Sequence, residues 1–335
     1  MGCCAQDEEQ SPAARWLPKV FGGLLVVAGA LVLVTEWGYF GKAGKLRWEK
    51  TEIIEPGRPA FADHAPKGDA QRLLRYKITQ GEVAEVTLTV AEYRSGEGLA
   101  RAIVYPPGQG ARSDASLRHD LWQEAANTIR AHAPAEGQFL AWWDDAQRIA
   151  FGTGKPVWAA LPPAAAFSDR SELGVWKEIA GGMADDDTKL RQWARWLTMD
   201  ADQAIAEMQT ALRDRPSYLL VCLDDLARLG EIEAMSGRKL PFEFRLFAPA
   251  KDLHGQIAAV KAWAADKGTG NYLVQQLSSG EARAWRITTE EGARTLLARL
   301  LPFTSSLAKP LETLGLVYQS AWGAYLAVYR LKPAH

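Results

Sequence analysis

The feature that most limits how this chain can fold is an uncharged apolar run near its start, from Val20 to Val34. Trp16 and Trp37 bracket the run. A helix carrying the 21 steps between them is about 32 Å long at ~1.5 Å per residue, close to the ~30 Å hydrocarbon core of a bilayer. Trp37, Tyr39 and Phe40 supply an interfacial aromatic belt. A cleaved signal peptide would want a small-x-small site after the run, but Thr35, Glu36, Trp37 and Gly38 stand there instead. The sequence therefore predicts a retained single-pass transmembrane anchor over 20–37, after a short tail over 1–19. Arg15 and Lys19 precede the run, whereas Lys42, Lys45, Arg47 and Lys50 follow it. That distribution alone would keep the larger part in the cytoplasm.

The remaining chain has the composition of a folded protein, 47% hydrophobic and 24% charged. With 39 basic and 40 acidic residues it lacks the excess of Lys and Arg that a broad nucleic-acid surface needs, so no nucleic-acid partner is expected. Cys3 and Cys4 precede the apolar run, which leaves Cys222 alone in the folded part. Within the run from Tyr218 to Leu223 it reads as a small buried hydrophobe rather than a reactive thiol.

Two regions differ in pattern. Over 48–110 the signals are β: Gln71–Ile78, Glu82–Val90 and Leu99–Tyr105 are rich in branched and aromatic residues, with a turn at Ser95–Gly98. Pro106–Gly110 is a breaker run and a predicted boundary. Over 111–335 helices alternate with short apolar segments. Predicted strands are Gln138–Trp143, Pro156–Leu161, Tyr218–Cys222, Phe242–Phe247 and Asn271–Gln276, with a closing pair at Thr313–Gln319 and Tyr325–Leu331. Predicted helices are Leu117–Ala131, Asp144–Phe151, Ser171–Arg213 with breaks near Gly181 and Asp200, Leu253–Lys267 and Thr289–Leu301. This alternation predicts an α/β fold: an N-terminal transmembrane helix, a small β-rich segment, then strands and helices on a largely parallel sheet with an antiparallel C-terminal edge.

One internal echo marks a candidate site. Phe139–Arg148 and Tyr218–Arg228 each run from an apolar strand into Asp-Asp followed by Arg about one helical turn on. This is the pattern of two equivalent βα units. Strand carboxyl ends are where α/β proteins place ligands. Trp143, Asp144, Asp145, Arg148, Asp224, Asp225 and Arg228 are therefore candidates for a ligand or partner site. The competing reading is local: Asp is a favoured helix N-cap, and each Arg can pair with its own aspartates. Metal ligation has little support, since His64, His119, His132, His254 and His335 are scattered and no Cys-x-x-Cys occurs. The nucleophile elbow and the phosphate loop are also absent, so neither catalytic residues nor a cofactor is assigned.

The apolar N-terminal run resembles the hydroxylamine oxidation protein HaoB family when taken with three further features. These are Trp142–Ile149 followed by Gly154–Trp158, the Leu223–Asp225 segment, and the ending from Leu316–Tyr318 to Ala327–Arg330. The resemblance implies an accessory protein of nitrification: exported, anchored in a bacterial inner membrane with a periplasmic C-terminal part, and partnered with multihaem hydroxylamine oxidoreductase. It carries over no catalytic residues, and the chain more resembles a non-enzyme. A weaker likeness points elsewhere. Trp142-Trp143-Asp144 before a Gly-Lys-Pro-Val segment is similar to the Trp-Trp-Asp-Tyr-Gly element of membrane oligosaccharyltransferases, although Asp145 and Ala146 replace Tyr-Gly. That likeness implies an α/β enzyme or small-ligand-binding domain using the strand-end carboxylates.

Overall fold

The computed structural model describes residues 45–333, apart from 60, 62–69, 81–83, 97, 106–113, 168, 251, 278 and 322–324. The predicted tail, the 20–37 anchor and the Pro106–Gly110 boundary lie outside the described residues. Among the described residues no helix is long and apolar enough to cross a membrane.

Four strands come first: β1 (Leu46–Ile54), β2 (Ala70–Gln80), β3 (Ala84–Ser95) and β4 (Gly98–Val104). They pair antiparallel in chain order, and Ser95 sits opposite Gly98 at the turn from β3 to β4. Their alternation buries Leu74, Tyr76, Ile78, Val90 and Ile103 in the main core. A smaller cluster of Ile54, Leu73 and Ala91 closes over Phe61, Val104 and Phe151.

The next elements are α1 (Asp114–His132), β5 (Gln138–Leu140), α2 (Trp143–Thr153), α3 (Arg170–Ala180), α4 (Thr188–Thr198), α5 (Ala201–Ala211) and β6 (Ser217–Cys222). A 3-10 segment, Leu223–Arg228, leads into α6 (Leu229–Ser236). The amphipathic face of α4 buries Leu190, Trp193, Ala194 and Leu197 while Arg191 and Arg195 face outward, the helical spacing that drives docking onto a core. Then follow β7 (Phe242–Phe247), α7 (Leu253–Ala265), β8 (Tyr272–Gln276), β9 (Ala282–Ile287), α8 (Glu290–Arg294), α9 (Leu296–Leu300), α10 (Thr304–Ala308), β10 (Leu314–Gln319) and β11 (Leu326–Leu331).

The expected largely parallel sheet is not what forms. The strands make three sheets, ordered β1-β2-β3-β4, β10-β11-β6-β5 and β7-β9-β8. Among the named strands only β5 and β6 pair parallel. The reason is connection geometry. A parallel sheet needs each strand returned by a helical crossover to the same sheet. Here the chain leaves β6 and builds a separate antiparallel sheet, in which β9 pairs with both β7 and β8. Pro156–Leu161 adds no strand, only the single bridge of Val157 to Phe139. The predicted helix Thr289–Leu301 is two helices, broken where Thr295 turns extended and its side chain accepts the Ala298 N–H as a cap.

Candidate functional site

The two echoing segments lie side by side. Gln138, Phe139 and Leu140 of β5 pair in parallel with Ser217, Tyr218 and Leu219 of β6, and the rings of Phe139 and Tyr218 stack at 4.9 Å. Both strands therefore release their chain at the same edge, and both Asp-Asp-x-x-Arg segments meet there. Six of the predicted residues, Asp144, Asp145, Arg148, Asp224, Asp225 and Arg228, fall into one buried network, each at most 7% exposed. Trp143 is buried beside them.

Arg228 is the hub. Its Nη2 pairs with Asp144 Oδ2, and its Nη1 stands 3.3 Å from both Asp145 Oδ2 and Asp225 Oδ1. The charge of the second copy thus closes onto the carboxylates of the first. Arg148 pairs with Asp145 Oδ1 one turn away, reaches Asp144 Oδ2 at 3.1 Å, and donates from Nε to the Ile103 carbonyl at 3.0 Å. Asp225 Oδ2 accepts the Cys222 backbone N–H at 2.9 Å, so it also caps its own turn. Asp144 and Asp145 make no such cap: position N-cap of α2 is Trp142, with no side-chain hydrogen bond. Their negative charge in its first turn still favours the helix dipole.

Sequence reasoning missed several members. Arg118 on α1 donates to Asp224 Oδ1 at 2.9 Å, and Tyr325 donates to Asp224 Oδ2. Arg118 lies over the Tyr105 and Tyr325 rings at 5.6 and 5.3 Å, and Arg148 lies over Tyr105 at 4.8 Å. Glu231 on α6 accepts the indole N–H groups of both Trp142 and Trp143 on Oε2, at 2.8 and 3.1 Å. These residues carry no local signature. Arg118 and Tyr325 stand 106 and 101 residues from Asp224, and only the fold brings them together.

Burial and charge act in opposite directions across the cluster. Burial alone would raise the Asp224 carboxyl, but the charges of Arg118, Arg228 and Arg283 prevail and hold it down to about 2. Burial pushes Asp144 up despite Arg228. Burial and the neighbouring Asp145 charge push Asp225 well up. For Glu231 burial outweighs the indole hydrogen bonds and the Arg228 charge, and its carboxyl rises to about 7.

Asp145, Cys222 and Asp225 bring three ligating atoms within 4.8 Å of one another. The donor set does not suit a metal ion. Burial and the Asp145 charge push the Cys222 thiol up, and its Sγ donates to Asp145 Oδ2 at 3.1 Å, whereas a metal needs the thiolate. The cation position between the two carboxylates is filled by the Arg228 guanidinium. On the outer side of Arg148 a cavity of about 40 Å³ is lined by Tyr105, His119, Trp122 and Phe151. Ligand pockets for drug-sized molecules run to roughly 300–1,000 Å³, so this one takes only a few atoms.

Fold and site together define an α/β protein whose strand-end charges are spent on one another inside the core. The family model described as "HaoA-associated protein HaoB" matches residues 15–331, and the chain belongs to that family. No curated protein matches the sequence. Among solved structures it is similar to the C-terminal globular domain of an oligosaccharyltransferase from Archaeoglobus fulgidus. Identity there is 12% and the TM-score 0.31, over 63% of this chain and 96% of that one. The C-terminal domain of PglB from C. jejuni matches at 11% identity and a TM-score of 0.36, over 63% and 99%. Overlaps this weak carry no functional argument.

Proposed function

We propose that the chain is a non-catalytic accessory of hydroxylamine oxidation that binds multihaem hydroxylamine oxidoreductase or assists its maturation. The family match over 15–331 carries this reading, because that family is described by its association with HaoA. The closed charge network supports the non-catalytic part. A substrate at the strand ends would have to displace Arg228, which already answers Asp144, Asp145 and Asp225. The candidate residues are then structural, and the partner is met on an outer surface. The finer placement rests on sequence alone: the apolar segment 20–37 would hold the protein at the inner membrane, with the folded part exported.

The test is a pull-down of the tagged chain from its native host in mild detergent, recording haem absorbance and the retained proteins. Multihaem hydroxylamine oxidoreductase recovered in stoichiometric amount is the expected result. A colourless, partner-free protein, under cross-linking as well, refutes it. Fractionation of the same cells, with protease applied from the periplasmic side, tests placement separately.

A further inference from the structure

The charges in the buried cluster do not balance as written. Four aspartates, Asp144, Asp145, Asp224 and Asp225, pair directly with three arginines, Arg118, Arg148 and Arg228. Asp224, already paired with Arg118, also feels the buried Arg283, so Asp144, Asp145 and Asp225 are left to share Arg148 and Arg228. All seven side chains are buried. Guanidinium groups keep their protons in proteins, and an uncompensated charge away from water is costly. Around Arg148 and Arg228 there is therefore one carboxylate too many.

Hydrogen bonding says which one. Both oxygens of Asp145 are engaged, by Arg148 on one side and by Arg228 and Cys222 Sγ on the other. Both oxygens of Asp224 are engaged by Arg118 and Tyr325, and both of Asp225 by Cys222 N–H and Arg228. Asp144 differs. Oδ2 takes Arg228 and Arg148, while Oδ1 is buried with no partner at all. Among the described buried side-chain oxygens a second orphan acceptor lies on the same helix, Gln147 Oε1. The Gln147 amide is fixed in that orientation because Nε2 donates to the Ala180 carbonyl at 3.1 Å. Residues three apart on a helix share a face. Two acceptors on one helix face cannot satisfy one another, whereas one hydrogen atom shared between them would satisfy both.

We propose that the cluster holds one bound proton, carried on Asp144 Oδ1 and donated to Gln147 Oε1. The proton leaves two carboxylates, Asp145 and Asp225, against the two guanidiniums of Arg148 and Arg228, and removes both orphans. The groups that face Asp144 are Asp145 and Arg148 on its own helix, Asp224, Asp225 and Arg228 on the 3-10 segment, and Glu231 on α6. Burial favours the un-ionised form of both Asp144 and Asp225, but both Asp225 oxygens already accept hydrogen bonds, which leaves Asp144 Oδ1 as the place for the proton. The inference goes beyond the accessory reading and stands whether or not that reading holds.

Infrared spectroscopy of the full-length protein tests it, above neutrality where Glu231 is ionised. The expected result is a carbonyl band of an un-ionised carboxyl group that shifts in D2O and is missing in Asp144→Asn. Asp144→Asn should also keep the urea midpoint of the parent or exceed it, whereas Asp224→Asn lowers it. A parent spectrum without that band, or a band surviving in Asp144→Asn, overturns the proposal. If Asp144→Asn fails to fold, Gln147→Leu serves instead. Loss of the acceptor should move the band to the position of a carboxyl with no hydrogen bond, and an unmoved band overturns the placement.

Discussion

Arg228→Met is the substitution that tests the closed network most directly. The methionine keeps much of the side-chain volume and removes the charge. Asp144, Asp145 and Asp225 each lose a guanidinium partner at once, in a place with no water to replace it. Arg148 still reaches Asp144 and Asp145, so the loss is partial for those two. Breaking one buried pair by deleting a partner typically costs about 3–5 kcal/mol. Two of the three carboxylates keep a second cation, so the lower half of that range, about 3–4 kcal/mol, is expected. Against a total stability of roughly 5–15 kcal/mol this is a large fraction. Urea denaturation followed by tryptophan fluorescence reads it as a lowered midpoint at unchanged slope. Adding Asp145→Asn to Arg228→Met should restore part of the loss, because the second change removes a stranded charge. A cost for Arg228→Met below about 1 kcal/mol, typical of an exposed ion pair, would refute the argument that the cluster is sealed and mutually dependent.

Other consequences are equally open to measurement. Glu231 has its midpoint raised to about 7, so its folded form holds a proton that the unfolded form releases near 4.5. Its contribution is full below the unfolded midpoint and falls as pH rises towards 7, by about 3 kcal/mol in all. Glu231→Gln should flatten that slope in a series of denaturation curves. Asp224 behaves oppositely: held down to about 2, it stabilises above its ordinary range near 3.8 and loses about 2 kcal/mol as pH falls through its folded midpoint. Asp224→Asn should therefore remove that part of the acid sensitivity while lowering stability at neutral pH. Tyr325→Phe should cost about 1–3 kcal/mol in thermal or urea melts, since it strips a buried charge-assisted bond from Asp224. Gly292→Ala should destabilise by about 1–3 kcal/mol, because a Cβ there would lie 2.3 Å from Pro241 Cγ.

What could be read from the sequence was local. The paired Asp-Asp-x-x-Arg segments were legible because each sits in one strand–helix junction, and both meet on adjacent parallel strands. Most helices were legible from their periodicity; Gly181 ends α3 in the left-handed conformation, at φ 77°, where a break was expected. Sheet membership was not legible. An apolar run such as Phe242–Phe247 has the same appearance whichever sheet it joins, and β9, whose alternation of Ala, Arg and Trp carries few branched residues, gave a weak strand signal. The identity of the partners in the ionic cluster was equally hidden. Arg118 looks like any helical arginine until Asp224 is placed against it, and Cys222, rightly read as buried, gave no hint of its bond to Asp145.

The shared hub also sets an order of events during synthesis. Asp144 and Asp145 leave the ribosome well before Arg228, which follows 84 and 83 residues later, and Tyr325 follows Asp224 by 101 more. Of the arginines that pair with Asp144 and Asp145 in the folded protein, only Arg148 is made before Arg228. A chain cut before β11 lacks Tyr325 and the strand that joins β10 to β6, so it is expected to be more protease-sensitive than the full chain.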